Sequence, residues 1–147
     1  MRVIKIIILI SLSILGTDSF GQGSPMWQTL GMVDKESTYD ESLGMSVDNI
    51  TVGVMPKTYQ GQEITIDGYI IPLTGKISQS HYMLSLFPAN MCFFCGAAGP
   101  ETAMQVFMAN DKKVKYTDNK IKVKGVLRIN EQNSNGLLYT LEEAVIL

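Results

Sequence analysis

Two strand-length runs, EITIDGYII at residues 63–71 and IKVKGVLRI at 121–129, alternate apolar and polar side chains, and each carries one glycine near its middle. Alternation with a period of two marks a strand with one buried and one wet face. In the first run Ile64, Ile66 and Ile70 share a face opposite Glu63, Thr65, Asp67 and Tyr69; in the second, Ile121, Val123, Leu127 and Ile129 share one. A glycine inside a strand weakens it unless the chain bends there or another backbone comes close. Gly68 and Gly125 therefore predict two strongly bent strands, the device by which a short sheet curls until it closes.

Three further runs read as strands: YMLSLF (82–87), TAMQVFM (102–108), entered through a helical turn at Gly99, Pro100 and Glu101, and LLYTLEEAVIL (137–147) after the polar turn EQNSNG. Helical periodicity of useful length is nearly absent. Five short strands over residues 61–147, two of them bent by glycine, predict an all-β fold: a small five-stranded OB-like barrel, with an antiparallel sandwich as the alternative. Residues 22–60 carry only short apolar clusters and are expected to form an N-terminal extension packed on the barrel. Trp27, Leu30 and Met32 would cap its core, and Ile50, Val52 and Val54 would form a short edge strand.

The chain opens MRVIKIIILISLSILGTDSFGQGS: basic Arg2 and Lys5, an apolar run from Ile6 to Leu15, then small and polar residues. That order predicts a signal peptide over 1–21, with Ser19 and Gly21 before the cut and Gln22 as the new N-terminus. The run falls short of the about 20 residues of a membrane span; an uncleaved anchor, formed by Val3 to Leu15 with its basic flank, is the alternative. The expected location is periplasmic or secreted, with membrane contact only through the signal peptide or a membrane partner. Of 12 Lys and Arg and 14 Asp and Glu, the segment removes Arg2, Lys5 and Asp18, leaving a formal charge of −3. A weakly acidic exported chain is a poor candidate for binding nucleic acid. Six lysines do fall in DKKVKYTDNKIKVK (111–124), but Lys120, Lys122 and Lys124 alternate with Ile121 and Val123 as the wet face of a strand.

The two cysteines, Cys92 and Cys95, stand in NMCFFCGAAGPE, residues 90–101, on a glycine-rich connection after the second barrel strand. This C-x-x-C pair supports three chemistries. Two thiolates at this spacing can take adjacent corners of a Zn2+ or Cu+ site, completed by His81, the sole histidine, by Glu101, by Met91 or Met104 for copper, or by a second chain. A dithiol oxidoreductase would place the motif before a long helix, and Gly96, Gly99 and Pro100 break any helix after Cys95. Outside the cytoplasm the two thiols can instead close a local disulfide. Phe93, Phe94, Gly96 and Pro100 then form the expected binding surface of the loop, for an envelope protein partner or a small ligand.

Trp27 and Leu30, GYIIPL (68–73), YMLSLFP (82–88), CFFCGAAGPE (92–101), IKVKGVLRIN and the ending YTLEEAVIL together resemble a family of small exported bacterial proteins catalogued as a domain of unknown function. The resemblance covers almost the whole mature chain, and CFFCG followed by GPE is its most specific part. It implies an OB-like periplasmic domain with no established enzyme activity, and family-like proteins associated with envelope transport systems imply an accessory role there. The residues agree: with one histidine and neither G-x-S-x-G, a phosphate-binding glycine loop nor H-E-x-x-H, nothing argues for an enzyme.

Overall fold

A computed structural model describes residues 24–92, 96, 98–130 and 137–147; the expected signal peptide lies outside them, as does the turn at 131–136. Nine strands are described: β1 (Val33–Asp40), β2 (Met45–Val52), β3 (Glu63–Ile71), β4 (Ser78–Gln79), β5 (His81–Ser85), β6 (Ala103–Met108), β7 (Val114–Lys115), β8 (Ile121–Ile129) and β9 (Tyr139–Ile146). Two short helices, α1 (Pro25–Leu30) and α2 (Val54–Lys57), belong to the N-terminal extension. No described helix is long and apolar enough to cross a membrane.

The five predicted strands close into one barrel in the order β3-β5-β6-β9-β8, with β8 returning to β3. Only β6 and β9 run parallel; the other neighbours are antiparallel. This is the OB-like architecture expected from the sequence. Strand β3 makes closure possible by changing partners halfway. It pairs with β8 from Glu63 to Gly68, where Gly68 faces Ile121, and with β5 from Tyr69, which faces Ser85. A Cβ on Gly68 would stand 2.7 Å from the Ser85 carbonyl oxygen, so the crossover requires the missing side chain.

Gly125 serves the opposite seam. Between the pairs Lys124↔Val145 and Val126↔Glu142, β8 supplies one residue and β9 supplies two, which is a β-bulge. A Cβ on Gly125 would meet the Glu142 carbonyl oxygen at 2.7 Å, and Glu143 takes a left-handed φ of 49°. Strict alternation would put Glu142 and Glu143 on opposite faces. The bulge leaves both toward solvent, with Arg128 Nε donating to Glu142 Oε2 at 2.9 Å.

Inside, Ile64, Ile66, Ile70, Tyr82, Leu84, Met104, Val106, Val123, Leu127, Tyr139 and Leu141 form one core, which Trp27, Leu30 and Val52 of the extension join. Outside, Lys124 pairs with Glu63 at 3.1 Å and Lys120 with Asp67 at 3.6 Å, the solvated face expected of that run.

Residues 24–60 depart from expectation in three places. Val54 does not extend an edge strand: it begins α2 and is 81 % exposed, and Met32, expected to cap the core, is 52 % exposed. More consequential is the hairpin of β1 and β2, paired from Val33↔Val52 to Asp40↔Met45. Its turn is built by Asp40, whose Oδ1 accepts from Ser42 N and Leu43 N at 2.8 and 3.2 Å, with Gly44 supplying a φ of +65°. The hydrogen bond from the Ser42 hydroxyl, then those from the two amides, hold the Asp40 carboxyl below its usual range.

Candidate functional site

The cysteine loop leaves the barrel at the end of β5. Ser85 is fully buried and its Oγ accepts from Phe87 N at 3.2 Å, while Leu86 N donates to Thr102 O at 2.9 Å and ties the two ends of the loop together. Pro88 then starts a 3-10 turn over Ala89–Met91, closed by Met91 N donating to Pro88 O. The turn delivers Cys92 in extended conformation to a buried position, 2 % exposed. Cys92 is a free thiol, and no disulfide is present among the described residues. Phe93, Phe94 and Cys95 lie outside the described residues. Gly96 has a φ of +72°, a left-handed conformation that glycine adopts without strain. Pro100 opens a second 3-10 turn over Pro100–Thr102, pinned by Thr102 N and Oγ1 donating to Gly99 O at 3.0 and 2.6 Å.

Glu101 anchors this far end. Its side chain is 15 % exposed; Oε1 accepts from Lys35 Nζ at 3.0 Å, and Oε2 is buried without a hydrogen-bond partner. A side chain at Gly99 would collide with this carboxylate, so the glycine of the G-P-E triplet makes room for its acid. Nearby, the Tyr139 hydroxyl donates to Leu30 O at 2.7 Å; burial, and then the Glu101 charge, push that phenol well above its ordinary pKa. Glu101 therefore couples the loop to α1 and β1, a role that its position in the sequence did not signal because Lys35 comes from 66 residues away.

Among the described residues, His81 and Glu101 of the proposed metal ligands are not brought together. His81 opens β5, opposite Phe107 in the register, whereas Glu101 precedes β6 at the other end of the same ladder. Four residues of strand, about 13 Å, separate the two ends. Met91 is 52 % exposed and Met104 is fully buried in the barrel core. No cluster of three or more His, Cys, Asp or Glu side chains that could hold a metal occurs among the described residues.

Beside the root of the loop runs an open cleft of about 500 Å3, lined by Tyr69 and Ile70 of β3, by Pro88, Ala89 and Asn90, and by Tyr116, Thr117 and Asp118 after β7. The Tyr116 hydroxyl donates to Asp118 Oδ1 at 2.6 Å, which raises its pKa, and the Lys120 ammonium lies 5.4 Å from the centre of the Tyr69 ring. The one sign of this cleft in the sequence is Tyr69, an aromatic residue on the wet face of a bent strand. No family model, curated protein or solved structure matches the chain.

Proposed function

We propose that this chain is an exported binding or accessory module of the bacterial envelope, acting through a protein partner, with Cys92, a free thiol in the structure, closing a disulfide with Cys95 on oxidation after export. The observation that carries the partner is the β1–β2 hairpin. Residues 34–39 and 41–46 are exposed throughout, with Tyr39 at 63 %, Leu43 at 63 % and Met45 at 57 %. A lone two-stranded hairpin is marginally stable in water. This one is held at its base, where Val33, Ile50 and Val52 pack on the core and Lys35 reaches Glu101, so its outer half is free to meet another molecule. The leader sequence, the close pair of cysteines and the resemblance to exported proteins support the location; the open cleft beside the loop offers a second contact surface.

Two measurements test this reading. The intact mass of protein recovered from the envelope fraction after thiol alkylation should correspond to a chain beginning at Gln22, two hydrogens light and unalkylated. A reduced protein carrying stoichiometric zinc or copper would replace the disulfide with a metal site; an intact leader would remove the export. For the partner, a photo-crosslinker at Tyr39 or Leu43 in living cells should give one discrete adduct, absent when the crosslinker stands at Lys122 on the barrel. Equal crosslinking from both places would remove the hairpin as a docking arm.

A further inference from the structure

At the end of β5 away from the cysteine loop, a pocket of about 240 Å3 is lined by Leu73, Thr74, Lys76, Ser78, Gln79, Ser80, His81 and Lys113. It holds two ammonium groups, an imidazole and three hydroxyls, and no lining residue is acidic, although the chain as a whole is acidic. Lys124 of β8 differs in this respect, since it is answered by Glu63. Neither Lys76 nor Lys113 has an ion-pair partner among the described residues. Two unanswered cations facing one cavity repel each other, and a bound anion reverses the sign of that interaction.

The pocket is built rather than a chance gap between mobile side chains. Gln79 crosses the loop from inside, its Nε2 donating to Lys76 O at 3.2 Å while its Oε1 accepts from Thr74 Oγ1 at 3.2 Å. The two-residue ladder of β4 and β7, Ser78↔Lys115 and Gln79↔Val114, clamps the loop against the segment that carries Lys113. Tyr116 N donating to Ile77 O and Met108 N donating to Ser80 O, at 2.8 and 2.9 Å, extend the clamp on both sides. His81 is fixed in the same way. Its ring stacks on Phe107 with centroids 4.1 Å apart and planes 12° from parallel, and its Nε2 lies 3.0 Å from Gln105 Oε1. Phe107 is 42 % exposed, so it offers an aromatic surface beside the cationic pocket.

We propose that this pocket binds a small anion, a phosphate or carboxylate group borne on a ring, with Lys76 and Lys113 holding the charged group, the Ser78 and Ser80 hydroxyls completing its hydrogen bonds, and the ring lying against Phe107. The volume, about 240 Å3, is below the about 300–1,000 Å3 of sites for drug-sized ligands, which suits a small ligand such as a sugar phosphate. The site is separate from the cysteine loop and from the hairpin, and its failure would leave the reading of those elements standing.

Glucose 6-phosphate, inorganic phosphate and glucose serve as probes in amide chemical-shift titrations of the isotope-labelled protein. Glucose 6-phosphate should shift amides of residues 73–81 and of Lys113 in a saturable way, and glucose should shift none. The double variant Lys76→Gln, Lys113→Gln should weaken glucose 6-phosphate by about tenfold or more, the scale of a lost charge-assisted contact. Both lysines are exposed, so the fold is not at stake. Phe107→Ala should weaken glucose 6-phosphate while leaving inorganic phosphate unchanged. An absence of saturable shifts, shifts centred elsewhere, or equal response to glucose would overturn the site; equal affinity for inorganic phosphate and glucose 6-phosphate would overturn the part assigned to the ring.

Discussion

Replacing Trp27 with alanine is expected to lower the free energy of unfolding by about 3–5 kcal/mol, the range for truncating a buried aromatic side chain. Trp27 is 3 % exposed, belongs to the same core as the barrel strands, and its Nε1–H donates to Asp67 O at 2.6 Å. Asp67 directly precedes Gly68, where β3 exchanges β8 for β5, so the indole is tied to the barrel beside that exchange of partners. Helix α1 has six residues, fewer than the about 12–15 that an isolated helix needs in water, and its order depends on Trp27 and Leu30 being buried. Trp27→Phe separates the two contributions: it keeps most of the apolar volume and removes the donor, at about 1–3 kcal/mol for an acceptor left buried and unpaired. Urea denaturation followed by circular dichroism gives both numbers. A loss below 1 kcal/mol for the alanine variant would mean that residues 24–60 are a passive attachment rather than part of the folding unit.

The barrel was legible because its strands are half-buried. A strand with one wet face writes its burial into the sequence, as Glu63-Ile64-Thr65-Ile66 does, and glycines at the two seams mark where the pattern must bend. The β1–β2 hairpin writes nothing comparable. In VDKESTYD and MSVDNITV most side chains are exposed, so no regular alternation separates an inner face from an outer one. The bulge in β9 escaped for a related reason: Glu142 and Glu143 are both polar, and only the facing Gly125 shows that one of them is extra. Of the site, the cysteine loop was visible as a motif and Glu101 as one of its members. Its counter-ion Lys35 and the Lys113 that faces His81's pocket arrive through tertiary closure, from distances along the chain that no local pattern encodes. His81 shows the limit most directly. As a lone histidine before a cysteine pair it could complete a metal site or be an ordinary strand-edge histidine, and the direction of β5 carries it away from the root of the cysteine loop and sets it flat on Phe107.

The core also contains two phenols, and they make stability sensitive to alkali. Tyr82 is 1 % exposed and its hydroxyl finds only the Met108 sulfur, at 3.5 Å; Tyr139 is fully buried and its hydroxyl donates to a backbone carbonyl. Burial disfavours both phenolates and pushes both pKa values well above the ordinary value near 10, with the Glu101 charge adding to the shift at Tyr139. Above pH 10 the unfolded chain releases these protons while the folded chain retains them. The unfolded state then binds fewer protons, so unfolding becomes easier as pH rises. The stabilisation is therefore complete below pH 10 and is lost above it, at about 1.4 kcal/mol per pH unit for each tyrosine until the folded-state value is reached. Urea midpoints measured between pH 9 and 12 should be flat at first and then fall, with Tyr82→Phe and Tyr139→Phe each removing one such share of the slope. An unchanged slope in both variants would mean that neither phenol carries the alkaline loss of stability.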